Sequence, residues 1–322
     1  MNIPIQWLVD GPPWVAYRAR VDLLGQAEDD HEVLAARAAM LEHPQIRELV
    51  NELADWPGPA LKSHKTAGHL LHKLAFVANL GLRADDPGMG RVVDRILARQ
   101  SDEGPFQVVS NVHPRYGGSG EDICSWMLCD APLVVYALAK FGLEQDPRVG
   151  RAAESLVDLV RENGWPCAVA PEWGKFRGPG RKDDPCPYAN LVMLRALAEM
   201  PGWSDHEAVR VGAEALLALW EQRRERKAYL FGMGTDFVKL KAPMIWYDVV
   251  HVLDVLTRFP ALQGDTRVQE LASIVAGKAD EQGRFTPESV WRAWKDWDFG
   301  QKKAPSTWLT LVVHRILRQV GA

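Results

Sequence analysis

The sequence lacks any apolar run near the ~20 residues that a membrane-spanning helix needs. Its opening stretch, MNIPIQWLVDGPPW, has neither the basic start nor the apolar core of a signal peptide. It also lacks an excess of either charge. Its 38 Lys and Arg against 42 Asp and Glu give a net charge of −4, which argues against nucleic acid or an anionic membrane as partner. Cysteine is scarce, four in 322 residues without the spacing of a disulfide framework, and this points to a reducing compartment. Strand-type alternation is weak throughout. The expectation is a soluble, cytoplasmic, helical protein forming one domain over residues 1–322, long enough for a sizeable core. Tryptophan, in contrast, is abundant, with 13 residues.

A repeat of about sixty residues organises the chain. Six apolar runs end in a small turn, at Gly25, Gly81, Gly142, Pro201, Pro260 and Gly321, with successive spacings of 56, 61, 59, 59 and 61. Aspartates placed to start the next helix follow at Asp86, Asp146, Asp205 and Asp265, with Asp29 or Asp30 in the first unit. Glycine turns at Gly104, Gly164 and Gly283 form a third marker with the same period. Each unit reads as a helix apolar on nearly all sides, then an amphipathic one. RVGRAAESLVDLV, for example, places Val149, Ala152, Leu156 and Leu159 on one face. The final unit is as apolar as the middle ones, whereas an open solenoid would need polar caps. Closure into an all-α, α6/α6 toroid (barrel) of six helical hairpins is therefore expected.

The turns ILARQSDEGPF, LVRENGWP and ADEQGRF resemble the Q-x-x-DG-x-[FW] turns of the α/α-toroid superfamily, which includes squalene and other terpenoid cyclases and protein prenyltransferase β subunits. Gln100 to Phe106 is the nearest copy. The resemblance covers about Trp14 to Val320 and is specific for architecture. The D-x-D-D acid motif and the D-D-x-x-D magnesium motif of these families are absent. Prenyltransferases bind zinc through Asp and Cys ahead of one inner helix and His ahead of the next. Asp122-Ile123-Cys124 is similar to the first part, and Cys186 stands roughly where the histidine would be.

Chemistry-bearing residues gather where inner helices begin. Cys129 and Cys186 open two successive inner helices, 57 residues apart, and Cys167 lies in the turn between. Together they could hold zinc, with Cys124, Asp130 or water as fourth ligand. The alternatives are buried thiols with no ligand, or redox chemistry. His69 and His72, spaced i, i+3, would share a helix face, and His72 with Asp130 supplies candidate acid/base groups. Asp248 is a third candidate, as partner carboxylate to Asp130. Arg177 and Arg181, in the glycine-rich loop 174–182, are candidate anion ligands. Trp126, Trp246, Tyr247 and Trp308 are candidate cavity-lining aromatics; each is equally at home in packing between repeats.

The function expected from the resemblance is a terpenoid-cyclase or prenyltransferase-like protein. It would bind an elongated apolar, isoprenoid-type small molecule in a central cavity, with a cysteine-bound zinc. The alternatives are a carbohydrate-active α6/α6 enzyme with facing carboxylates and a non-catalytic binding protein.

Overall fold

The structure, a computed structural model, describes residues 2–176, 178, 182–225, 227 and 231–321. Thirteen α-helices carry the described chain: α1 (Ile5–Val9), α2 (Pro13–Arg18), α3 (His31–Glu42), α4 (Pro44–Leu53), α5 (Leu70–Leu80), α6 (Met89–Leu97), α7 (Ala131–Leu138), α8 (Pro147–Val157), α9 (Pro187–Leu197), α10 (Glu207–Glu221), α11 (Val249–Leu256), α12 (Thr266–Ala276) and α13 (Thr307–Gln319). One short antiparallel pair breaks the helical pattern, β1 (Val108–Ser110) with β2 (Ile123–Ser125), and it sets Val109 opposite Cys124. The chain is helix-rich, as its sequence pattern implies.

The two expected kinds of helix alternate. In α5 every residue but Lys73 is buried, and α7, α9 and α11 are buried throughout. In α8 one stripe is buried, formed by Val149, Ala152, Ala153, Leu156 and Val157. Leu159, expected on that stripe, falls beyond the helix end and is half-buried. Asp30, Asp146 and Asp265 cap α3, α8 and α12, each accepting the backbone N–H two residues on. Two expected aspartate caps are displaced. Gly88 begins α6, while Asp86 folds back onto the Arg83 N–H at 2.7 Å. His206 begins α10, its Nδ1 accepting from Ala208 N–H at 3.2 Å, an acceptor equivalent to a carboxylate oxygen.

The recurring turn glycines have a packing cause. Gly104 and Gly164 hold φ of +116° and +112°, where side chains are strained. A Cβ at Gly104 would stand 2.2 Å from Ser155 Oγ, and one at Gly164 would stand 2.6 Å from Asn190 Oδ1. Gln100 fastens the first of these turns, its Nε2 donating to Gly104 O and Arg148 O at 2.7 Å each.

Contacts group the chain into two compact units, Met1–Leu49 with Gly234–Ala322, and Val50–Met233. In the first, α13 packs on α1, α2, α11 and α12, so both ends of the chain share a core. In the second, α7 packs between α5 and α9, with α8 and α10 alongside.

Candidate metal centre

Polar side chains converge at the start of α7, and short backbone pairings bring them there. Leu61 N–H donates to Val109 O (2.8 Å) and Asn111 N–H to Leu61 O (2.9 Å), which ties the segment ahead of His64 to β1. Leu128 N–H donates to Ala168 O (2.9 Å) and Ala170 N–H to Trp126 O (3.0 Å), laying the Cys167 segment beside the Cys129 segment. Cys186 N–H reaches Trp165 O at 2.7 Å. Asn190 of α9 locks that last crossing. Its Nδ2 donates to the carbonyls of Trp165 (2.9 Å) and Cys186 (2.8 Å), and its Oδ1 accepts from Trp165 N–H (3.0 Å).

Asp130 stands at the N-cap of α7 and is 1% exposed. Other buried helices spend the capping side chain on their own free N–H groups. His69 accepts from Leu71, Cys186 from Ala189, Asp248 from His251 and Ser306 from Leu309. Asp130 makes no such bond. Its Oδ1 lies 2.5 Å from His64 Nε2, and Oδ2 accepts a longer bond, 3.4 Å, from Ser110 Oγ. Donor atoms of His64, Cys129 and Asp130 all lie within 4.8 Å of one another.

The electrostatics favour positive charge at this point. Burial acts to lower the His64 pKa, but the charge and hydrogen bonding of Cys129 and Asp130 outweigh it, holding the imidazole well above its ordinary value. Burial pushes the Cys129 thiol up, against the pull of His64. The Cys186 thiol is held well above its ordinary range by its hydrogen bond with Cys167, then by burial. Tyr188, on the first turn of α9, stays a neutral phenol through burial and the nearby Asp130 and Cys129. Its ring packs 5.6 Å from that of His64, centroid to centroid.

The sequence-derived candidates separate as follows. Of the expected ligands, Cys129 and Asp130 belong to this cluster; Cys167 is near enough for its charge to act on Cys129, and Cys186 pairs with Cys167, so the trio brought together is His64, Cys129 and Asp130 and not the three cysteines. Cys124 does not. It lies on β2, where Arg99 Nη1 donates to its sulfur at 3.3 Å and its thiol points to Gln107 Oε1 at 3.8 Å. His72 is 3% exposed, and burial followed by His64, His69 and Arg195 lowers it to about 3, which keeps it neutral. His69 stands just outside the helix, near enough to His72 for its charge to act on it. It is the cap of α5, with Nδ1 accepting from Leu71 N–H and Nε2 donating to Pro59 O at 2.9 Å. Trp126 is 7% exposed, with Nε1 donating to Glu103 Oε2 at 2.5 Å.

Trp246, Tyr247, Asp248 and Trp308 belong to the other unit. Tyr247 is buried with its ring 5.2 Å from that of Phe237, and burial raises its pKa. The Trp246 carbonyl pairs with His251 Nδ1 at 3.0 Å. Trp308 opens α13, where its N–H, the Ser306 hydroxyl and the Thr307 hydroxyl all donate to Asp298 Oδ2. Trp294, Trp297 and Phe299 pack on one another; of the tryptophan-rich WRAWKDWDFG stretch Trp294 and Phe299 are buried, Trp291 and Trp297 are half-buried, and Arg292, Ala293, Lys295 and Asp296 are exposed. Arg177 and Arg181 lie outside the described residues. A groove of about 440 Å³ runs along α10 between acidic walls that include Glu162, Asp184, Glu207 and Glu214, and contains none of the cluster.

His64 was not among the sequence-derived candidates, although it lies in the run KSHKTAGHLLHKL that carries His69 and His72. The signal available was its place in the segment leading into a buried helix, five residues ahead of the His69 cap, as Cys129 directly precedes the Asp130 cap of α7.

No protein-family model matches this chain, and no curated protein matches it. Solved structures that match include a protein from Actinoplanes, 16% identical, covering 96% of this chain and 90% of that one with a TM-score of 0.42.

Proposed function

We propose that this protein is a metal-dependent enzyme of terpenoid-cyclase or prenyltransferase-like type. In this reading its hairpins close into an α6/α6 toroid around an elongated apolar, isoprenoid-type substrate, and zinc is held by His64, Cys129 and Asp130. The observation that carries the reading is this trio, gathered ahead of a buried helix with its carboxylate turned away from capping. The contacts of α5, α7 and α9 in one unit, and of α11, α13 and α2 in the other, support the ring. The substrate class rests on the turn motifs.

The donor set fits zinc. Tetrahedral bonds of ~2.0–2.3 Å place ligand atoms roughly 3.3–3.8 Å apart. The present spread, from 2.5 Å between His64 and Asp130 up to 4.8 Å, needs only side-chain adjustment to reach that. The proton shared by His64 and Asp130 occupies the place of a cation, and metal binding displaces such protons. Three protein ligands leave a position for substrate, and bound zinc would supply Lewis acidity and a nucleophile usable at neutral pH. The protein's own groups do the positioning. Ser110 and burial hold Asp130, and the Tyr188 ring backs the imidazole of His64.

The test is elemental analysis of protein purified without a histidine tag, on wild type, His64→Ala, Cys129→Ser and Cys186→Ser. The expected result is about one zinc per chain, lost in the first two variants and retained in the third, with native circular dichroism in each. Folded wild type without metal refutes the centre. With the metal established, prenyl diphosphates and thiol nucleophiles are the substrates to try. Absence of diphosphate release across chain lengths refutes the substrate class and leaves the centre standing.

A further inference from the structure

The cluster contains more sulfur than the trio uses. All four cysteines are thiols, and three of them meet where the Trp126–Leu128, Trp165–Ala170 and Cys186 segments are tied together by backbone hydrogen bonds. Cys167 and Cys186 are the two whose side chains hydrogen-bond to each other. The Asn190 clamp fixes the backbone on both sides of this contact, at Trp165 and at Cys186. A disulfide requires the two sulfurs to close to ~2.05 Å. The two thiols differ in access: Cys186 is buried against α9, where its sulfur accepts from Ala189 N–H at 3.5 Å, and Cys167 is half-buried. Gly178 lies over Cys167, close enough that a Cβ there would come 2.8 Å from Cys167 Cβ and 2.9 Å from Sγ.

We propose that Cys167 and Cys186 are a redox-active dithiol, a modification site at which a small hydroperoxide closes a disulfide. Cys167, the more accessible, attacks the peroxide oxygen as thiolate and becomes a sulfenic acid, and the O–O bond breaks with release of water (an alcohol, for an alkyl hydroperoxide). The Cys186 sulfur then displaces the sulfenic oxygen, which leaves as water. In sum, two thiols lose two electrons and two protons to one hydroperoxide, and a dithiol reductant reverses the step. The disulfide needs neither a metal nor the substrate proposed above.

The experiment exposes the reduced, chelator-treated full chain to a small excess of hydrogen peroxide, alkylates what remains, and maps the peptides without reduction. The expected product is a Cys167–Cys186 linked peptide, with two of the four thiols consumed and both restored by dithiothreitol. In Cys186→Ser, Cys167 stops at the sulfenic acid, which dimedone captures, and only one thiol is lost. Cys124→Ser leaves the linked peptide unchanged. Survival of all four thiols, oxidation centred on Cys124 or Cys129, or a disulfide that includes Cys129 overturns the proposal. The wild-type map decides this alone should Cys186→Ser fail to fold, and it decides it whether or not the protein binds zinc.

Discussion

Asp248 offers a stability measurement whose sign and size both follow from its surroundings. It caps α11 with Oδ1, which accepts from His251 N–H at 3.0 Å, while Oδ2 is buried and has no partner among the described residues. Burial pushes the carboxyl from 3.8 up to about 7, against the His251 N–H and Lys241, which pull it down. Between those two values the folded protein binds more protons than the unfolded chain. The stability tied to this group is therefore complete below about pH 4 and is lost as pH rises through 7. Asp248→Asn keeps the cap acceptor and removes the titration. At ~1.4 kcal/mol per pH unit, levelling off above the folded value, wild type loses about 2.5 kcal/mol relative to the variant between about pH 5 and pH 8. Urea unfolding of both proteins at these two pH values measures the difference, and pH effects from every other group cancel in the subtraction. A stability gap that stays constant with pH, or that widens in favour of wild type toward pH 8, refutes the argument.

Two further outcomes test the packing. Gly164→Ala forces a side chain into φ of +112° and onto Asn190, and costs about 2–3 kcal/mol. Gly150→Ala, where a Cβ inside α8 meets nothing, stabilises by roughly 0.5–1 kcal/mol, and thermal melts that rank the two the other way contradict the turn-packing account. His69→Ala destabilises by about 1–2 kcal/mol and His69→Asn by less, because asparagine also caps. Metal content is unchanged in both, and zinc lost with His69 would show that this histidine is more than a cap.

The helical alternation was legible because a buried helix and a half-buried one leave different residue patterns, and each is long enough to register. LVVYALAKF has no polar stripe, and RVGRAAESLV does. Caps were less legible. An N-cap needs any acceptor near the free N–H groups, so His206 serves α10 as well as an aspartate would, and proximity in sequence misassigned the cap to Asp205. The β1–β2 pair escaped notice because three-residue strands show no alternation. His64 is the most instructive miss. Its position is fixed by Leu61 joining β1, a pairing between segments nearly fifty residues apart that leaves no local periodicity. Cys129 and Asp130 were readable as residues opening a helix, but the partner they meet was set by tertiary pairing alone.

The starts of buried helices collect chemistry for a physical reason. Four N–H groups there lack an intrahelical partner, and in a buried setting each must be answered by a polar side chain. A packed repeat therefore tolerates Asp, Ser, His or Cys at these positions when it tolerates few polar groups elsewhere. In α5, α11 and α13 that polar residue is consumed by the helix itself, which is why His69, Asp248 and Ser306 read as caps. In α7 Pro132 stands in the first turn and leaves one fewer N–H to satisfy, as Pro147 does in α8 and Pro187 in α9. What sets Asp130 apart is its own backbone, which lies in the αR region (φ −118°, ψ −53°) where the capping residues of α5, α8, α9, α11 and α13 are extended, and its carboxylate is directed at His64. A buried carboxylate taken off capping and paired with an imidazole beside a thiol lowers the stability a simple cap would give. Its presence in a core otherwise built from satisfied caps is the strongest structural argument that α7 begins at a working site.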